Sequence, residues 1–177
     1  MSFPSFSTGE VLTAADMNAV GLWRINEFTL SGGTTNLTNI FSTDYSNYLL
    51  IVSGVTTGSA IECTFQMLNN TTPATGANYN SVRWSSLSGG SSTTAQTSGR
   101  IITCGFTPQL WSVQVCNPAI AAKTVFNSQG QYGVNADLAY PELNGAVHTL
   151  ATAYNGMSMI APGTTWTAGK VAVYGYK

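Results

Sequence analysis

Ile61-Glu62-Cys63-Thr64-Phe65-Gln66-Met67 alternates apolar and polar side chains without a break, and Trp111-Ser112-Val113-Gln114-Val115 does the same. A period of two is the mark of a strand with one face in a core and the other toward water. Working outward from these two segments, further strands are predicted at 24–30, 47–55, 80–87, 99–105, 124–128, 146–153 and 170–176. Tyr48-Leu49-Leu50-Ile51-Val52 is apolar throughout, so it reads as a central strand buried on both faces or as a subunit interface. Between the strands stand turn formers: Ser31-Gly32-Gly33, Thr57-Gly58-Ser59, Thr75-Gly76, Asn144-Gly145, Asn155-Gly156 and Pro162-Gly163. Residues 88–98 read as a polar loop and 118–123 as a turn or helix fragment. Many short strands with glycine-rich turns predict an all-β chain, an antiparallel β-sandwich of the jelly-roll kind.

The first 23 residues differ from the rest. Pro4 biases Phe3 toward extended backbone, and Gly9 marks a turn. Thr13-Ala14-Ala15-Asp16 then resembles a capping box, with Leu12 and Met17 placed as a hydrophobic staple. The spacing predicts a short helix from Ala14 to about Val20, ended by Gly21. One or two turns of helix are marginal alone, so this arm is expected to be ordered by docking on another surface. Its apolar anchors are Phe3, Phe6, Val11, Leu12, Met17, Leu22 and Trp23. The division is therefore a docking arm at 1–23 and a sandwich domain at 24–177.

Hydrophobic residues make up 44% of the 177 residues, enough for a core. Charged residues are only 7%, against about 25% in an ordinary soluble domain. Such a surface is hydrated by Ser, Thr and Asn, or is hidden in an assembly. The formal net charge is −1 and the charges are scattered singly. Nucleic acid and anionic membranes both need clustered Lys and Arg, so neither is an expected partner. No signal peptide or membrane-spanning run is read in the sequence.

Candidate chemistry is sparse. Cys63, Cys104 and Cys116 sit among apolar or β-branched neighbours without metal-ligand spacing, so they read as small buried hydrophobes. The one histidine, His148, lies in an alternating segment and reads as a polar-face residue. No Gly-x-Ser-x-Gly elbow accompanies it. A glycosidase would need two carboxylates held about 5–10 Å apart, for which Glu62 with Asp44, or Asp137 with Glu142, are the candidates. No calcium loop is present. The expectation is no catalytic residue, no metal and no cofactor. Trp111 and Trp166 are assigned to the core. Tyr79, Tyr132 and Tyr140 are read as loop residues that contact a host surface; Trp84 is a further aromatic of the kind that stacks on sugar rings.

Gly9-Glu10-Val11-Leu12-Thr13-Ala14-Ala15-Asp16-Met17-Asn18-Ala19 is similar to the opening of small tail-fibre and minor tail proteins of tailed bacteriophages. Asp44-Tyr45-Ser46-Asn47-Tyr48 and the ending Gly169-Lys170-Val171-Ala172-Val173-Tyr174-Gly175-Tyr176 also resemble segments of those proteins. The likeness touches the first 20 residues, a segment near 41–52 and the last ten; it does not extend to residues 56–165. It implies a virion protein, made in the host cytoplasm and assembled as a homotrimer. The arm would dock on tail or baseplate proteins, and the sandwich loops would contact a host glycan or protein. Small β proteins of this kind also decorate capsids, which gives head cementing as the alternative. A glycan depolymerase is the enzymatic alternative.

Overall fold

A computed structural model of the chain describes residues 21–86, 89–135 and 138–177. The described residues form thirteen strands: β1 (Trp23–Thr29), β2 (Thr34–Leu37), β3 (Asn47–Thr57), β4 (Ile61–Asn69), β5 (Thr72–Pro73), β6 (Tyr79–Ser85), β7 (Gly89–Gln96), β8 (Gly99–Cys104), β9 (Gln109–Cys116), β10 (Thr124–Asn135), β11 (Leu138–His148), β12 (Gly156–Ile160) and β13 (Trp166–Tyr176). Eight of them make one sheet in the order β1-β13-β3-β9-β10-β11-β6-β7. The second sheet runs β2-β12-β4-β5, with β8 on the other part of β4. Every pairing is antiparallel, and the two sheets pack as a sandwich.

The alternating segments fold as their period requires. On β4, Cys63, Phe65 and Met67 are buried, and on β9 Trp111, Val113 and Val115 are. Opposite register positions supply Tyr48, Leu50 and Val52 from β3 and Val171 and Val173 from β13. The Phe65 ring of the smaller sheet lies 4.0 Å from Phe126 and 5.5 Å from Tyr79 of the larger one, centroid to centroid. Each such large side chain contributes about 1.5–3 kcal/mol when fully buried. Trp111 and Trp166 belong to this core, as do Cys63 and Cys104; Cys116 is half-buried. A hydrogen bond with the Cys63 sulfur, and then burial, push the Cys104 thiol pKa up, so this thiol stays protonated.

Several expectations change. Residues 89–96 form edge strand β7 rather than a loop. Its Ser, Thr and Gly side chains are mostly exposed, and an edge needs ladder hydrogen bonds more than apolar residues. β10 and β11 make one long hairpin in place of the short segments 124–128 and 146–153; Gly130, Gly133 and Pro141 lie within it rather than in a loop. Strand β3 is central but not buried on both faces: Leu49 and Ile51 alternate outward and are half-buried. Residues 118–122 are turn and bend, and lead into β10. Strands β2, β5 and β12 carry no clear sequence signal. The arm anchors Phe3, Phe6, Val11, Leu12 and Met17 and the expected helix at 14–20 lie outside the described residues. Trp23 opens β1 opposite Gly175, and both it and Leu22 are exposed. No helix among the described residues is long and apolar enough to cross a membrane.

Candidate functional site

The outer face of the eight-stranded sheet is a continuous surface running from β1 to β7. Strand register places Trp84, Leu143, Gln129, Ser112, Ile51, Ala172 and Glu27 in one row across seven strands. The adjacent row is Val82, Gly145, Asn127, Gln114, Leu49, Tyr174 and Arg24. Both rows are free of charge from β6 to β13 and end on a charge at β1. There Glu27 accepts from Arg24 at 2.5 Å and from Lys170 at 3.2 Å. Val82, Trp84 and Leu143 are about half exposed, and Leu110 is 61% exposed. A hollow of about 540 Å³ lies among Leu110, Ile51, Ser112, Gln129, Gln131 and Leu143. Gly130 underlies this hollow: a Cβ there would collide with the Trp111 ring, which packs against the glycine from the paired strand.

A second, chemically different site sits at the end where the sheets meet. Arg83 on β6 and Arg100 on β8 both engage Glu62 on β4, the second at 2.9 Å. Arg100 Nη1 also donates to Ser91 Oγ at 2.7 Å, and its backbone N–H donates to Ser81 Oγ. Glu142 on β11 is buried, and its Oε1 accepts from the Thr103 hydroxyl at 2.6 Å and the Asn144 amide at 3.0 Å. A concavity of about 250 Å³ lies among Glu62, Arg83, Ser85, Thr103, Tyr132 and Glu142. Four charged side chains thus converge in a chain that has few. They tie β8 of one sheet to β6, β7 and β11 of the other.

Of the carboxylate pairings read from sequence, Glu62 with Asp44 is not the one formed. Asp44 accepts from the Ser42 hydroxyl in the loop before β3 and does not join Glu62. Asp137 lies outside the described residues. Glu62 and Glu142 line one concavity instead, with Glu62 engaged by the Arg83 and Arg100 guanidinium groups. Among the described residues, no three His, Cys, Asp or Glu side chains gather as metal ligands would.

Tyr132 and Tyr140 are brought together as a cross-strand pair on the β10–β11 hairpin, both half-buried. Tyr132 also lines the charged concavity. The loop after β8 closes on the same hairpin at Gly133 and carries Phe106, 64% exposed. Tyr79 is a correction. It is fully buried at the start of β6, where its hydroxyl donates to the Ala74 carbonyl and accepts from the Met67 N–H. Burial raises its pKa.

His148 is a correction too. It faces the core, paired with Tyr79, with the Tyr79 and Tyr154 rings 4.5 and 5.1 Å away. The inward set on β11 is Glu142, Asn144, Ala146 and His148, so the phase is opposite to the expected one. Neither ring nitrogen makes a hydrogen bond of good geometry. Burial lowers the pKa of the imidazole, against a smaller opposing effect of the Leu150 backbone.

No protein-family model, curated protein or solved structure matches the chain.

Proposed function

We propose that the chain is a structural protein of a tailed-bacteriophage virion: a short tail fibre that self-assembles, docks through residues 1–23 and contacts the host with its sandwich. Its work is non-covalent binding rather than catalysis, and in this reading the sandwich is a jelly-roll variant with one enlarged sheet.

The observation that carries the reading is the division of the surface. One broad sheet face is neutral and rich in exposed apolar side chains, as a surface made for protein contact is. At the hairpin end, Tyr132 lines the concavity with Glu62 and Arg83, Tyr140 pairs with Tyr132 across the strands, and Phe106 stands in the loop that closes on the hairpin. Aromatic faces beside forked charged donors suit a saccharide or a polar peptide. Homotrimeric assembly would multiply weak contacts at that end by avidity. The resemblance of residues 9–19 and 169–176 to phage tail proteins supplies the virion context.

The test is cryo-electron microscopy of virions that carry the protein. Three-fold density at the tail tip or baseplate, reached by the N-terminal arm, is the expected result. Density on the capsid lattice would replace adhesion with head cementing. Virions lacking the protein altogether would remove the structural reading.

A further inference from the structure

We propose that the outer face of the eight-stranded sheet is the surface on which copies of this chain pack together. The ridge of Val82, Trp84 and Leu143 of one copy enters the hollow beside Leu110 of the next. The inference rests on the self-assembly in the function proposed above and names the surface responsible.

Three arguments fix a second copy as the occupant. The first is charge. When a surface meets its own copy, each charge near the contact meets a like charge, at a cost of several kcal/mol. The two central rows from β6 to β13 carry none; Arg24 and Glu27 stand on β1, Lys170 lies on β13 two strands from Leu110, and Glu142 at the border of the hollow has its carboxylate held by Thr103 and Asn144. The second is area. Six strands from β7 to β3, about 4.8 Å apart and about seven residues long, cover roughly 650 Å² before side-chain relief is counted. That approaches the ~800 Å² per partner of a stable interface. The third is shape. Ridge and hollow lie side by side on one face, with Leu143 at the border of both. Ridge and hollow on one face are the two halves of a self-complementary contact.

Sedimentation velocity of the full chain at micromolar concentration tests this directly. The unchanged protein is expected to sediment as an oligomer. Leu143→Glu and Trp84→Lys should each weaken association at least tenfold, while Thr34→Glu, on exposed β2 of the other sheet, should leave it intact. A second variant guards against misfolding: Val82→Cys with Leu110→Cys in a Cys116→Ser background should form disulfide links between copies on mild oxidation.

An oligomer that survives both charge substitutions and fails to cross-link overturns this face while leaving self-assembly standing. A monomer at every concentration overturns both. Retention of that monomer on a neutral glycan array, lost in Trp84→Ala, would reassign the face to a saccharide.

Discussion

His148 shows how one side chain couples this fold to pH. An ordinary imidazole takes up a proton near 6.5, and burial lowers that value here. Below about pH 6.5 the unfolded chain therefore binds a proton that the folded chain refuses. The sign is fixed: this residue's contribution to stability is present above the unfolded pKa and is lost as pH falls toward the folded one. The slope from one such group is at most about 1.4 kcal/mol per pH unit. His148→Leu, which keeps an apolar side chain in the same cluster, is expected to flatten the fall in Tm between pH 7 and pH 5. Thermal melts of both proteins across that range check it; parallel curves would assign the pH dependence elsewhere. Tyr79 belongs to the same cluster but has a different role, because its hydroxyl closes two backbone groups that would otherwise be buried unpaired.

At the scale of elements, two segments distant in sequence prove to be one packing unit. Gly175 on β13 pairs with Tyr48 on β3, and the Tyr45 ring lies over the glycine. A Cβ at residue 175 would stand 2.5 Å from Tyr45 Cγ. Tyr48 in turn exchanges hydrogen bonds with the Ser42 backbone at 2.7 Å and packs edge-on against Phe41. The Tyr45–Tyr48 segment and the Val173–Tyr176 ending therefore need each other, which gives their pattern a packing reason. Gly175→Ala is expected to destabilise by about 1–3 kcal/mol, the usual cost of overpacking, and chemical denaturation measures it. The Glu62 cluster is the second element-level device, linking β4, β6 and β8. Glu62→Gln leaves two guanidinium groups without their carboxylate. A loss of about 1–2 kcal/mol is expected, between the values for exposed and buried pairs. The loss should shrink in 1 M salt, where charges are screened beyond about 3 Å.

For the whole molecule, the low charge content and the neutral sheet face bear on the same question of how the chain stays soluble. If the face is covered in an assembly, Tm rises with protein concentration, because association stabilises the folded state by mass action. The arm is separable in the same terms. β1 begins at Trp23, and the two described sheets are built from residue 23 on. Under the docking role proposed above, deleting residues 1–20 is expected to change Tm by only a few degrees and to abolish incorporation into virions, measured by melting and by mass spectrometry of purified particles.

By itself the sequence determined the fold class, the core faces of β4 and β9, the burial of Trp111, Trp166, Cys63 and Cys104, and the lack of a basic surface. These follow from local period and composition, which a chain carries wherever its strands end up. Strands β7 and the ends of β10 and β11 were hidden because Ser, Thr, Gly and Pro in an edge or hairpin strand look like turn chemistry until a partner strand is present. Of the tyrosines proposed for contact, Tyr132 and Tyr140 lie on one hairpin and Tyr79 lies in the core. Only the tertiary structure decided that Glu62 meets Arg83 and Arg100 rather than Asp44, that His148 faces inward, and that Trp84, Leu143 and Gln129 form one row. The physical reason is that strand order and register are set by contacts between residues far apart in the chain, and a shift of one residue moves every side chain to the opposite face.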